Sequence, residues 1–229
     1  MKTRLPRALA LVWLAHSAAF GQMPSTGSPT DFNAAFFKLF GSGAAFTAKV
    51  DTQVLDARQK EWASMPMVMA AFDNKVRLEV NMAEVKSAGL PESAIAKLKQ
   101  MGMDRVVSII RPDKKATFVL YPGAQGYVTM PLAAAEVAAW ERGLKLEKAP
   151  LGKETLDGHA CVKHRAIVSN SQGPVLEATT WNAADLKEFP IQIETKEKGN
   201  TVVMRFSQVQ LAKPAARQFE VPKGYGQMK

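Results

Sequence analysis

The sequence predicts an α+β fold: a large curled antiparallel sheet of about ten strands, in effect an incomplete β-barrel, with three short helices covering its concave face. Three observations carry this. Apolar and polar residues alternate in repeated runs from Phe46 onward. Turn dipeptides (Asp73-Asn74, Pro112-Asp113, Pro122-Gly123, Asp157-Gly158) separate the runs by short gaps. Helical spacing interrupts them only singly, so the βα alternation of a doubly wound sheet is missing.

The first element is a helix. Thr30 or Asp31 stands at its start as a cap, and Phe32, Ala35, Phe36, Leu39 and Phe40 recur at helical spacing up to Gly41. After Gly43 the period becomes two. Phe46, Ala48, Val50, Thr52 and Val54 share one face, with Thr47, Lys49, Asp51 and Gln53 on the other, as in a strand with one face buried. Trp62 to Phe72 continues as a second strand in which Met65, Met67 and Met69 alternate. Lys75 to Met82 is the third, with Val76, Leu78, Val80 and Met82 inward and Lys75, Arg77, Glu79 and Asn81 outward. Together they form a meander.

Pro91 opens a second helix, which presents Ile95 and Leu98 and ends at Gly102. Residues 105–111, 116–121 and 126–130 read as three strands. Ala133, Val137 and Trp140 mark a third helix, stopped by Gly143. The remainder is β: 151–156, 160–168, 176–181, 191–196 and 201–211, followed by a Pro/Gly-rich tail from Phe219 to Tyr225.

The chain of 229 residues carries 30 Lys and Arg against 21 Asp and Glu, with one Cys and three His, and 47% of it is hydrophobic. That is globular composition, and it excludes disorder, collagen and a polytopic membrane protein. A single Cys excludes an internal disulfide framework and multi-Cys metal sites. Residues 1–21 read as a cleavable export signal. Lys2, Arg4 and Arg7 precede the apolar run Ala8–Phe20, which is too short to span a bilayer, and Ala19-Phe20-Gly21 supplies the small residues of a cleavage site. Residues 22–30 are turn-rich, and 31–229 are expected to form one domain. Removing the signal lowers the formal charge from +9 to +6, because three basic residues leave with it. The expected location is the periplasm.

Three stretches resemble a known family. They are Gly152-Lys-Glu154-Thr-Leu-Asp157-Gly158-His-Ala-Cys161-Val-Lys163-His-Arg165, a strand ending in Trp181 followed by Leu186 and Pro190, and the terminal Phe219-Glu-Val-Pro222-Lys-Gly224-Tyr225. With the export signal, the N-terminal helix and the strand order, they resemble secreted bacterial proteins of the lipoprotein-carrier (LolA/LolB-like) superfamily, and within it a periplasmic branch. The resemblance covers most of residues 31–225. It implies an incomplete antiparallel barrel wrapped around helices, enclosing an apolar cavity that in known members holds acyl chains.

Candidate chemistry is sparse. Met65, Met67 and Met69, with Met101 and Met103, offer soft thioethers for Cu(I), but Met also fills irregular apolar space where ligands vary. His159 shares a strand face with Cys161, while His164 points the other way. Lys163 and Arg165 also share that face and would favour a thiolate, yet no third group orients the pair. Glu136 and Glu141 read as surface acids. No phosphate loop, metalloprotease motif or nucleophile elbow is present. The basic excess is spread among acids, as in Lys196-Glu197-Lys198, which fits a solvated surface or transient contact with anionic membrane better than nucleic acid.

The sequence therefore favours a non-enzymatic binding protein that shelters an apolar ligand such as a lipid or acyl chain, with no cofactor, and with a lipid or lipidated protein as partner. The alternative is an envelope interaction or sensing module with a filled core, docking another envelope protein; a copper-binding protein stands behind both. About ten strands some 4.8 Å apart make a sheet about 45 Å wide before it curls. Three helices about 10–12 Å across cover about 35 Å of it. The expected ligand space is lined by Met65, Met67, Met69, Val76, Leu78 and Val80.

Overall fold

The computed structural model describes residues 31–41, 43–87, 89–141, 143–197 and 199–228. The expected export signal and the segment 22–30 lie outside the described residues. Helix α1 spans Phe32–Lys38. The first meander is β1 (Phe46–Leu55), β2 (Glu61–Phe72) and β3 (Lys75–Asn81), and a short β4 (Lys86–Ser87) returns to pair with β2. Helix α2 (Glu92–Gln100) leads into β5 (Arg105–Arg111), β6 (Ala116–Tyr121) and β7 (Gly126–Pro131). Helix α3 (Ala134–Glu141) precedes β8 (Lys145–Leu156), β9 (His159–Asn170), β10 (Gly173–Ala183), β11 (Phe189–Glu197) and β12 (Asn200–Gln210), and β13 (Gly226–Gln227) closes the chain.

The thirteen strands among the described residues belong to one sheet, ordered β13-β7-β6-β5-β3-β2-β1-β12-β11-β10-β9-β8 with β4 off the path. Every pairing is antiparallel except β13 on β7. The ends β13 and β8 do not meet, so the sheet curls without closing. This is the α+β curled sheet that the alternation predicts, with two-residue strands added at the margins.

One large apolar cluster fills the concave side. It unites Phe32, Phe36 and Leu39 of and after α1, Leu98 of α2 and Ala139 of α3 with alternate residues of β1–β3, β5 and β9–β12. Aromatic rings concentrate where α1 ends: Phe40 packs on Phe46, Phe189 and Phe206 at centroid distances of 4.9, 5.3 and 5.4 Å. Such clusters add about 0.5–1.5 kcal/mol per pair beyond the area they bury.

The helix ends follow local rules, with one correction. Asp31 stands at the start of α1 but makes no capping bond there. Its carboxylate instead accepts a 2.6 Å hydrogen bond from Asn170 Nδ2, tying the helix to the end of β9. The first turn of α3 is held differently, by Glu136 accepting from the Ala133 amide at 2.8 Å, so this acid is a cap rather than a bystander. Helix α2 stops as predicted: Gly102 has φ +66°, and the Met103 amide reaches back to the Leu98 carbonyl. A β-carbon at Gly102 would lie 2.6 Å from the Gly123 backbone, so the backbones of α2's end and the β6–β7 turn meet closely.

The convex side departs from the prediction. Outward residues of β2, β5 and β6 (Ala70, Val107, Ile109, Leu120) form a second small core under Phe219 of the C-terminal segment. Arg77 and Glu79, outward as expected, are half-buried beside that segment, and the Arg77 guanidinium donates to the Gln218 carbonyl. The tail is therefore a strap over β3 and β5. Arg111, only 6% exposed at its side chain, fastens it by donating to the Phe219 carbonyl at 2.8 Å and to Glu220 at 2.6 Å.

Candidate functional site

The six residues expected to line a ligand space all fall on the concave face. Register sets Met67 between Val50 of β1 and Val80 of β3, and Val80 faces Val106 of β5. One row along, Met69 lies between Ala48 and Leu78, and Val76 lies between Ala71 and Ile110. Met65, opposite Thr52, is half-buried at the periphery, and the other five are buried in the main core. Met67 and Met69 are thus interleaved with aliphatic partners, while Met65 faces the Thr52 hydroxyl-bearing side chain. Met101 is exposed beyond α2 and Met103 is buried, both on the segment leading into β5.

Continuing the Met65 row across the sheet, Thr52 faces Met204, Met204 faces Ile193, Ile193 faces Thr180, and Thr180 faces His164. The row contains two buried polar atoms without a hydrogen-bond partner, Thr52 Oγ1 and His164 Nδ1. The sequence marked Thr52 only as an inward position and His164 only as facing away from Cys161.

A cavity of about 190 Å³ opens between α1, α3 and the β2–β3 turn. Of the six expected residues only Val76 lines it. Its walls are Phe37 and Trp140, stacked at 5.7 Å, with Phe72, Ala71 and Leu144. Lys38, Asn74 and Lys75 are its polar lining residues. Sequence reasoning missed most of this lining, because Phe37 and Lys38 lie off the apolar face of α1. The turn Asp73-Asn74, with both residues at positive φ, leads into Lys75, which stands among the cavity's lining residues. Its ammonium lies 2.6 Å from the exposed Asp73 carboxylate.

The Cys161 surroundings disfavour the thiolate. The thiol is buried and donates to the His159 carbonyl at 3.5 Å. Burial pushes the thiol up, nearby carboxylates of Asp185, Glu154 and Asp157 add to this, and a backbone hydrogen bond at Leu156 opposes it only in part. The His159 ring turns to Asp185, 2.7 Å from Nδ1. Lys163, which spacing placed beside the thiol, lies 4.5 Å over the Trp181 ring and 3.8 Å from Glu154. Glu154 in turn accepts from the Trp181 indole N–H. This is a surface cation–π and ion-pair cluster against strand β10. Among the described residues no group of three or more His, Cys, Asp and Glu could hold a metal ion.

No family model matches the sequence, and no curated protein matches it. Solved structures are similar to it over most of its length. A LolA superfamily protein from Nitrosomonas europaea is 10% identical, with 83% of this chain and 96% of that chain covered and a TM-score of 0.40. The lipoprotein LppX from Mycobacterium tuberculosis is 11% identical, with 80% and 95% covered and a TM-score of 0.39. LprF from Mycobacterium bovis is 12% identical, with 82% and 99% covered and a TM-score of 0.37. The first of these carries the family name that the sequence motifs resemble.

Proposed function

We propose that this protein is a non-enzymatic binding protein of the bacterial periplasm that shelters an apolar ligand, a lipid or acyl chain, on the concave face of its sheet. The observation that carries the reading is the cavity between α1 and α3, which opens onto side chains of the main core. A volume of about 190 Å³ exceeds the roughly 150 Å³ that admits a benzene ring. It falls below the roughly 300–1,000 Å³ of sites for drug-sized ligands. The arrangement therefore accepts a ring or the end of a chain, and a longer chain enters by displacing the short helices from the Met-rich floor. Met67 and Met69 suit that role, since an unbranched thioether repacks with little strain. The further lining by Met65, Val76, Leu78 and Val80 belongs to the same proposal.

The test is native mass spectrometry of protein purified from the periplasmic fraction, combined with titration by a fluorescent fatty acid. Co-purified acyl species and saturable uptake are expected. Absence of both would overturn the reading. A second reading, an envelope interaction module, draws on one observation: among the described residues β8 pairs only with β9, and no strand lies on its other edge. Capture of an envelope protein along β8, with no lipid bound, would favour it.

A further inference from the structure

We infer that the cavity between α1, α3 and the β2–β3 turn receives the anionic end of an amphiphile, a carboxylate or phosphate ester borne on a hydrocarbon chain, with Lys38 and Lys75 as its counter-charges. The inference rests on the binding reading above and gives it a ligand class.

The first argument is charge. Two lysines line the cavity, and no Asp or Glu is among its lining residues. Lys38 is half-buried on the last turn of α1, and its side chain makes no ion pair or hydrogen bond among the described residues. Lys75 has Asp73, but that carboxylate is two-thirds exposed and stands outside the lining. An entering anion would give the Lys38 ammonium a counter-charge and a charge-assisted hydrogen bond.

The second argument is shape. Beside the lysines stand the stacked rings of Phe37 and Trp140, and Ala71, Val76 and Leu144 continue into the main core. A free inorganic anion would use the ammonium groups and leave the aromatic wall bare. A neutral lipid would use the wall and leave Lys38 unpaired. An anionic amphiphile satisfies both, with its charged end at Lys38 and Lys75 and its chain directed inward along the apolar floor.

The experiment compares cis-parinaric acid with its methyl ester by fluorescence titration. The exported protein is set beside the variants K38Q/K75Q and K38R/K75R, each checked for an unchanged circular dichroism spectrum. Wild type should bind the acid about tenfold more tightly than the ester, the scale of one or two charge-assisted hydrogen bonds at a partly exposed site. K38Q/K75Q should erase the preference by weakening the acid alone, and K38R/K75R should retain it. Equal affinity for acid and ester in wild type, or a preference that survives in K38Q/K75Q, would overturn the inference while leaving the binding reading intact. Loss of both ligands in K38Q/K75Q would assign the lysines to the cavity's shape and would also overturn it. Displacement of the acid by millimolar inorganic phosphate would mark a free-anion site and overturn the amphiphile. If wild type binds neither probe, the binding reading itself fails.

Discussion

Replacing Arg111 by Met should loosen the C-terminal strap and lower the stability of the whole sheet. The guanidinium holds Asp113 through two bonds of 2.7 and 2.6 Å, Glu220 through one of 2.6 Å and the Phe219 carbonyl through one of 2.8 Å. Charge-assisted hydrogen bonds contribute about 1.5–3 kcal/mol each, so a simple sum would run from about 6 to 12 kcal/mol. That sum is too large. Asp113 and Glu220 are each 49% exposed and regain water when the cation leaves. Methionine also removes the cost of burying a guanidinium, and breaking a fully buried pair costs only about 3–5 kcal/mol. What remains is the Phe219 carbonyl losing its donor, about 1–3 kcal/mol, and looser packing of Phe219 over Val107 and Ile109. The expected loss is about 2–4 kcal/mol, a fall in Tm of roughly 4–16 °C for a chain of this size. Thermal unfolding by circular dichroism measures it, and trypsin cleavage at Arg217 should quicken in parallel. R111K should fall between, since an ammonium keeps the charge and loses the fork. A Tm within 1 °C of wild type, with cleavage at Arg217 unchanged, would refute the assignment of the tail as a fastened strap.

Three more outcomes are expected. Acid should destabilise the protein through Asp113, Glu220 and Glu79. Arg111 holds Asp113 down, Lys114 and Arg111 hold Glu220 down, and at Glu79 burial raises the pKa but Arg105 and Arg77 outweigh it. A depressed carboxylate stabilises the fold above its unfolded value and stops doing so as pH falls through the folded one, so melting points should be level near neutrality and drop below about pH 4; level melting points down to pH 3 would contradict this. Thr52→Val should leave stability unchanged or raise it by about 1 kcal/mol, because the lost hydroxyl is buried without a partner; denaturant unfolding would expose the opposite result. Cys161 should resist a thiol reagent in the native protein and react at once in denaturant, since its thiol is both buried and held protonated. Fast native labelling would reverse that description.

How far the fold could be read depended on whether each segment had one wet face. β1 and β3 do, so period two exposed them. β8 does not: apart from its ends, almost every residue from Lys145 to Leu156 is exposed, and Pro150 with a bulge before Gly152 breaks its run. Its first half, Lys145–Pro150, therefore carries no strand pattern, and the expected strand begins only at residue 151. An edge strand selected for charge and Pro has no burial pattern to show. β5 fails in the opposite sense, being buried on both faces from Val106 to Arg111. Its continuous apolar run identified a strand but gave no sign of a second core on the convex side. Phe219, in a Pro/Gly-rich tail, could not be matched to that core, because a single aromatic carries no period. The cavity was hidden for a related reason. Phe37 and Lys38 of α1, Trp140 of α3 and Lys75 of β3 meet across three separate elements, and only packing brings them together.

The ladder between β1 and β12 carries a further consequence. It pairs residues 47–55 with residues 201–210, while most other neighbours in the sheet are joined by short turns, β3–β5 and β7–β13 being among the exceptions. The sheet is thus two largely local meanders, β1 to β7 and β8 to β12, joined edge to edge along the long β1–β12 seam. Pairings of such sequence separation form slowly, because the intervening chain must be gathered before any contact rewards it. Pulse-labelled hydrogen exchange should find the β2–β3 and β9–β10 hairpins protected before β1 and β12; simultaneous protection would argue for a single concerted collapse. Until the seam closes, β1 and β12 each present an unpaired edge, and the interior that α1 later covers is open along its whole length. A chain wired in this way acquires its interior last, after its final long strand has been delivered.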